Sequence, residues 1–518
     1  MAEGKVKLKI WDWVLVVVLA LLAGLIRWYP ESKVGFFPIG YDTFNAYVPD
    51  LTKSDGNLIR WFFSSDLLYL ILWPIKQLFH LDANTLIKFT GPVLYGLLTS
   101  SFYLLCRKFL NWKILPSLLA GLFLMVQLAT LRMSWDLFRN MLSLIFLFAA
   151  TYCLYANHKV KNLVLLGIFS VLIVMSNPLV AGLWFILLLV WLAVKLVKKE
   201  YQNCLMILSA ILPALVFFVL CLKTSQTNNF GGRVFYEAES DRIFTYFTAY
   251  VNKTTYSNLV QTITSLFWLM FKFVWPLAIY GFYLMRKNIL LTALTIWLLI
   301  GSFSSIVFGG YGVFVWDRWM MMLVFPLIIY MVYGGWALGE KISKIKIFKP
   351  KWMQIVLTSF AVIFWLAYLS LFVYPSWAFV DTPVKKAKMP FANKLTNQYF
   401  PVSMLNNSVG FENIADVLKC IEYINSQAPD QSIVAVDNRY RGIVITNLDF
   451  SKGYVYSFPW SSKVNQDTLL RLRSQDIGPV YTIWSPDFTV KSFRRVFRSG
   501  DMVVWRDQKT FENFQGSN

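Results

Sequence analysis

The stretch "DLLYLILWPIKQLF", residues 66–79, decides how this chain is threaded. It is apolar, yet it begins with Asp66 and contains Pro74 and Lys76. It is also short, because a helix needs about 20 apolar residues to cross a hydrocarbon core of about 30 Å. Counted as a crossing, it inverts every later segment. Counted as a helix lying along the outer surface, it leaves the basic loops together on one side. We therefore read 66–79 as interfacial.

The rest of the chain reads as a polytopic α-helical membrane protein. Of 518 residues, 57% are hydrophobic and 15% charged, with a mean hydropathy of +0.53. A soluble protein carries about 25% charge. Apolar runs at 10–28, 85–105, 113–131, 138–157, 162–176, 178–196, 203–222, 262–284, 289–308, 319–338 and 354–374 predict about eleven transmembrane helices. Lys5, Lys7 and Lys9 precede the first and place the N-terminus in the cytoplasm. The loops then assigned inside carry Arg107, Lys108 and Lys113; Lys159 and Lys161; Lys198 and Lys199; Arg286 and Lys287; and the cluster from Lys341 to Lys351. This bias accounts for the net charge of +21 and argues against nucleic acid as a partner. The first run lacks a small-residue cleavage site and is read as retained. Cys106, Cys153, Cys204, Cys221 and Cys420 form no CxxC pair, and two histidines are too few for a His-based metal centre.

Two domains follow from the pattern: 1–375 in the membrane, with an external loop at 30–84, and a soluble α/β domain at 376–518 on the outer face. In the tail, "ENIADVLKCIEYINSQ" and "TLLRLRSQ" have helical spacing, while "SIVAVD", "GIVITN", "VYTIWS" and "DMVVW" predict strands. Neither GxGxxG nor GxxxxGK[ST] occurs, so nucleotide binding has no support. The sequons at Asn252 and Asn406 fall on the outer side.

Unusual polar residues gather in the outer loops. The 30–65 loop holds Asp42 and Asp50, and "RMSWDLFRNMLSL" holds Arg132, Asp136, Arg139 and Asn140. The turn at 176–178 is Ser-Asn-Pro; the 223–261 loop holds Arg233, Glu237, Glu239, Asp241 and Arg242; "GGYGVFVWDRW" holds Asp317 and Arg318. Charges at the edge of hydrocarbon are costly unless paired, hydrated or used. Carboxylates can serve as general bases or bind a hard cation, and arginines can grip a phosphate. Aromatic side chains can face a lipid or a sugar. Together these suit a sugar carried on a lipid phosphate.

The motifs resemble those of the GT-C glycosyltransferases, membrane enzymes that include protein O-mannosyltransferases, aminoarabinose transferases and the catalytic subunit of oligosaccharyltransferase. "GYDTFNAY" (40–47) is similar to their Gly-x-Asp-x-aromatic element, with Asp42 at the catalytic or metal-binding position. "WDLFRN" (135–140) stands where their second acidic motif does, with Asp136 as its carboxylate, and "WDRWMMMLVFPL" (316–327) resembles a later Arg-to-Pro element. The resemblance implies a polyprenyl- or dolichyl-phosphate sugar donor and a protein, glycan or lipid acceptor. It implies inverting hexosyl or pentosyl transfer at the outer face of the plasma membrane. Asp42 and Asp136 would be catalytic, with room for a divalent cation, Mg or Mn, on the same pair. Arg139, Asn140 and Arg318 would hold the donor phosphate, with Asp317, Glu237 and Glu239 as secondary candidates. The tail lacks WWDYG, and Arg139-Asn140 replaces the Asp-Asn-Glu of oligosaccharyltransferase, which favours a monosaccharide transferase and puts metal dependence in doubt.

Plainer roles compete. Asp42 could cap a surface helix, Asp136 and Arg139 could be an intrahelical pair, Asp317 and Arg318 could anchor a helix end, and the 237–241 acids could be a solvated loop face. The alternative function is a transporter or lipid flippase, disfavoured by the lack of an internal repeat and by charges sitting at span ends.

Overall fold

The computed structural model describes residues 8–33, 36–40, 42–53, 58–156, 160–224, 234–236, 256–307, 316–343, 350–368, 373, 411–437, 440–458, 472, 478–484, 486, 490 and 492–517. The membrane part begins with α1 (Ile10–Lys33), a π-helical turn (Thr43–Tyr47), α2 (Val48–Lys53), α3 (Leu58–Phe63), α4 (Leu67–Phe79) and α5 (Ala83–Lys108). It continues with α6 (Ile114–Leu124), α7 (Leu128–Asp136), α8 (Phe138–Tyr155), α9 (Val160–Ser176), α10 (Pro178–Val197) and α11 (Tyr201–Thr224). After strand β1 (Val234–Tyr236) come α12 (Tyr256–Phe271), α13 (Trp275–Met285), α14 (Ile289–Val307), α15 (Trp316–Met322), α16 (Val324–Ser343) and α17 (Pro350–Tyr368).

Helices α1 and α5 set the frame. They pack side by side and run antiparallel, and charged contacts mark both ends of the pair. At one end Arg107 Nε and Nη2 donate to the two Asp12 carboxylate oxygens at 2.6 and 3.2 Å, and Tyr103 Oη donates to Asp12 at 2.7 Å. At the other end Lys88, near the start of α5, acts on Glu31 and Arg27, near the end of α1. From Lys88 to Arg107 a helix rises about 28 Å, close to the thickness of a hydrocarbon core. Charges inside an apolar helix are costly unless paired, and here the pairs bracket the hydrocarbon length.

This pairing also settles how the chain travels between α1 and α5. It leaves α1 and enters α5 at the same end. Between them lies α4, too short to cross at about 20 Å. The Asp66 carboxylate at its start is 2.9 Å from Arg139 Nη1 on α8, and Lys76 Nζ near its finish donates to the Leu51 carbonyl at 2.7 Å.

Each of the eleven predicted apolar runs is helical where it is described, and among the described residues six helices, or seven with one bent pair, are long and apolar enough to cross by length and composition. Among the described residues these are α1, α5, α8, α10, α11 and the run Trp316–Ile342 through α15 and α16, with the bent pair α6–α7 as a seventh. The runs 113–131 and 262–284 are each broken in two. The α6–α7 break bends the chain by 60°. Backbone carbonyls freed inside a membrane need partners. Tyr95 Oη donates to Met125 O at 2.7 Å, and Thr130 Oγ1 contacts Leu124 O at 2.5 Å and Gln127 O at 3.0 Å.

The tail is a small α/β domain: α18 (Phe411–Gln427), β2 (Ser432–Asp437), α19 (Arg441–Asn447), β3 (Gly453–Phe458), β4 (Val480–Trp484), β5 (Phe493–Ser499), β6 (Met502–Asp507) and α20 (Gln508–Ser517). The sheet order is β1-β3-β2-β4-β6-β5, parallel from β1 to β4 and antiparallel for β6 and β5. Strand β2 is buried on both faces, with Val434 and Val436 in one core and Ile433 and Ala435 in the other. Two corrections follow. "GIVITN" is the helix α19, not a strand: parallel strands β2 and β3 need a crossover, and that demand overrides the β propensity of Ile443, Val444 and Ile445. The first strand comes from the 223–261 loop, because Val234, Phe235 and Tyr236 pair with Val455, Tyr456 and Ser457. The predicted helix "TLLRLRSQ" lies mostly outside the described residues, and Asn252 and Asn406 lie wholly outside them.

Helices α13 and α16 approach backbone to backbone through Gly281 and Gly334. A Cβ on Gly281 would meet the Tyr330 carbonyl, and one on Gly334 the Leu277 carbonyl. Small residues allow such contact in membranes. Gly281→Val is therefore expected to destabilise the protein by about 1–3 kcal/mol or more, because a carbonyl in a packed helix cannot swing aside. Thermal unfolding in detergent checks this; an unchanged melting temperature would rule out the close crossing.

Candidate active site at one end of the bundle

The turn that carries Asp42 is held from within the helical bundle. Arg27 and Glu31, one turn apart on α1, are both fully buried. Arg27 Nη2 lies 2.5 Å from Glu31 Oε1, and Arg27 Nε donates to the Ser134 carbonyl of α7 at 3.0 Å. The Glu31 carboxylate in turn accepts the Ile39 N–H, at 3.0 Å on Oε2 and 3.2 Å on Oε1. One ion pair thus ties the end of α1, the end of α7 and the entry to the first loop. Gly40 follows at φ 118°, a conformation that disfavours a side chain. The Thr43 hydroxyl closes the turn on the Gly40 carbonyl at 2.5 Å.

Asp42 opens the π-helical turn, but its side chain makes no capping bond. It faces Arg318 at the start of α15, with Oδ2 and Nη2 3.7 Å apart. Both side chains are partly exposed, 25% for Asp42 and 32% for Arg318. This pair is longer and more exposed than Arg27–Glu31. Tyr47, at the end of the turn, stacks on Phe138 at 5.2 Å and fixes the turn against α8. Isolated π turns frequently occur at functional sites. Beside Arg318, Asp317 is buried, its charge opposed by Arg318 and by Arg132 of α7. Helix α15 packs on α7, whose last residue is Asp136.

Arg139 sits differently from the phosphate-holding role the motif suggests. Its Nη1 pairs with Asp66 at 2.9 Å, its Nη2 donates to the Ser65 carbonyl at 2.7 Å, and its Nε donates to the Ser176 carbonyl at 3.3 Å. Each nitrogen is engaged, so this guanidinium clamps α4 and the 176–178 turn to α8. Asn140 accepts from Asn177 Nδ2 at 3.0 Å. Its own Nδ2 is buried with no partner among the described residues.

These contacts bring the first loop, the α7–α8 junction, the Ser-Asn-Pro turn and the start of α15 to one end of the bundle. The sheet domain lies at that end too, because Gly442 N–H donates to Asn45 Oδ1 at 2.8 Å, and Val234–Tyr236 joins its sheet as β1. Glu237 and Glu239, with Asp241, lie outside the described residues. Among the described residues no three His, Cys, Asp or Glu side chains cluster as a metal would require. Sequence reading missed Arg27, Glu31 and Asp66 as site-forming residues. An Arg-x-x-x-Glu pair near the end of an apolar run is a usable signal, since such charges are expensive there.

No family model matches this sequence, and no curated protein matches it. Among solved structures, the chain is similar to an oligosaccharyltransferase from Archaeoglobus fulgidus, crystallised in complex with Zn and sulfate. The TM-score is 0.51 at 13% sequence identity, covering 90% of this chain and 67% of that one. The likeness is one of overall fold.

The two ion pairs are expected to respond differently to neutralisation. Glu31→Gln breaks a fully buried pair and should cost about 3–5 kcal/mol of stability, whereas Asp42→Asn breaks an accessible one and should cost about 1 kcal/mol or less. Thermal unfolding of both variants measures the difference; equal melting temperatures would deny Arg27–Glu31 its structural role.

Proposed function

We propose that the chain is an integral membrane glycosyltransferase that moves a sugar from a polyprenyl-phosphate donor to a protein, glycan or lipid acceptor, with inversion. The observation that carries the reading is Asp42 facing Arg318 at 3.7 Å, both partly exposed, at one end of a bundle whose fold is shared with an oligosaccharyltransferase. The chemistry needs those two groups. The Asp42 carboxylate takes the proton from the acceptor hydroxyl or amide. The acceptor attacks the anomeric carbon from the face opposite the phosphate, and the sugar–phosphate C–O bond breaks. The electron pair leaves on the lipid phosphate, whose negative charge Arg318 holds. A positioned base contributes about 10²–10⁴ in rate. A fixed cation at the departing oxyanion adds to it because it needs no reorganisation as charge develops.

In this reading Asp136 assists at the same end, Asn140 offers its buried Nδ2 to the donor, and Arg139 holds the scaffold in place of the phosphate. Asp317 is the counter-charge that keeps Arg318 and Arg132 in register. Glu237 and Glu239 are the acids nearest in sequence to β1 and are candidates to meet the acceptor. A divalent cation takes six or more oxygen ligands. Among the described residues the site supplies the Asp42 carboxylate set against a guanidinium, a poor cation site, so no step here runs through a metal. In this proposal the Asp42 end faces outward from the plasma membrane, with the N-terminus in the cytoplasm, a sidedness that the basic loops support.

The test is release of polyprenyl phosphate by purified protein from a panel of polyprenyl-phosphate hexoses and pentoses. Asp42→Asn should lower turnover by about 10²–10⁴, and Arg318→Ala by a comparable factor with weaker donor binding. Full turnover by Asp42→Asn would remove the proposed base.

A further inference from the structure

The π-helical turn and α2 hold the sheet domain as closely as they hold the membrane bundle. Helix α19 has no capping side chain of its own, because its N-cap is Tyr440, whose side chain makes no cap bond. The first N–H groups of a helix need acceptors. Asn45 supplies one from across the chain: its Oδ1 accepts the Gly442 N–H at 2.8 Å, while its carbonyl accepts Arg441 Nη2 at 3.2 Å. At the other end of α19, Lys53 Nζ donates to the Leu448 carbonyl at 3.1 Å and lies over the Phe450 ring at 5.2 Å from its centroid. A carboxamide oxygen at the start and an ammonium at the finish are the groups a helix favours at those ends. Phe37, three residues before Gly40, packs against the core of the sheet domain. Lys53 is half buried here, and desolvation holds its ammonium below the usual lysine range.

We infer that Asn45 and Arg441 are positioning residues, through which the sheet domain sets the turn that presents Asp42. The inference rests on the reading of Asp42 as the base. Asn45 stands three residues after Asp42, inside the five-residue turn that Asp42 opens, so the turn cannot change its winding without releasing the α19 N-terminus. The turn is held on its other side by Tyr47 stacked on Phe138. The bundle fixes one face and the tail the other, and Asp42 lies at the head of the segment between them. Asn45 Nδ2 is buried with no partner among the described residues, so Asn45→Asp keeps the acceptor for Gly442 without orphaning a further donor.

Hydrogen exchange of the full chain in detergent, without ligand, tests the coupling from the far side. Arg441→Met removes a bond nearly 400 residues from the turn and leaves Asp42, Asn45 and Arg318 intact. Amides 42–48 should exchange about five-fold faster or more, while β2 amides 432–437 stay protected. The kcat for polyprenyl phosphate release should fall with the donor KM unchanged, and Arg441→Lys should restore both readouts. If Arg441→Met also exposes β2, Asn45→Leu replaces it, read at amides 442–448, with Asn45→Asp as its rescue. Unchanged exchange across the contact in both variants overturns the inference even when Asp42→Asn is inactive. Full turnover by Asp42→Asn with the exchange coupling present would sink the functional reading while the physical link stands.

Discussion

A guanidinium and a carboxylate buried together near the end of the first helix constrain the end of the bundle that carries Asp42. Arg27 and Glu31 cannot face lipid, and neither can remain ionised alone. Their pairing engages Arg27 Nη2 and part of the Glu31 carboxylate; Arg27 Nε is aimed at Ser134 O on one side and the carboxylate at the Ile39 N–H on the other, while Arg27 Nη1 is buried with no partner among the described residues. The first loop therefore leaves α1 in a set direction, next to the end of α7. A second clamp, Arg139 on Asp66, Ser65 and Ser176, does the same for α4 and the start of α10. Once these turns are held, the more exposed Asp42–Arg318 pair has little freedom in where it sits.

The division of labour among arginines follows from exposure and partners. Arg27 and Arg107 lie inside, each against a carboxylate within 2.6 Å or less, and serve architecture. Arg139 is engaged at each nitrogen. Arg318 keeps a longer contact and a solvated flank, the condition under which a guanidinium can meet a phosphate in place of its resident partner. Residue type alone does not distinguish these roles, and their distances do.

Much of the architecture was legible beforehand. Hydropathy located all eleven apolar runs, and each is helical where it is described. An average over 20 residues cannot show where a run breaks, so the two divided runs, 113–131 and 262–284, read as unbroken. The α6–α7 bend depends on the Tyr95 and Thr130 hydroxyls satisfying freed carbonyls, a fact of tertiary structure. The tail read as α/β, yet "GIVITN" misled, because four β-branched residues in a row, Ile443 to Thr446, state a preference that a parallel crossover overrules. At the site, Asp42, Asp317 and Arg318 stood out as charges at the edges of apolar runs. The engagement of Arg139 did not, since its partners lie in segments up to 74 residues away. Arg27 and Glu31 were hidden because they sit within a helix counted only for its length.

The sheet also has a history written into its strand order. Its first strand, Val234–Tyr236, is made more than 200 residues before β3, its partner, and Asn45 precedes Gly442 by 397 residues. At ribosomal speeds of about 5–20 residues per second, Asn45 waits about 20–80 s after its own synthesis before its partner exists. The helices can be inserted and packed in that interval, but the turn bearing Asp42 cannot take its final support. Biogenesis thus runs from the lipid outward, and the chemistry would be the last thing this protein acquires as it is made.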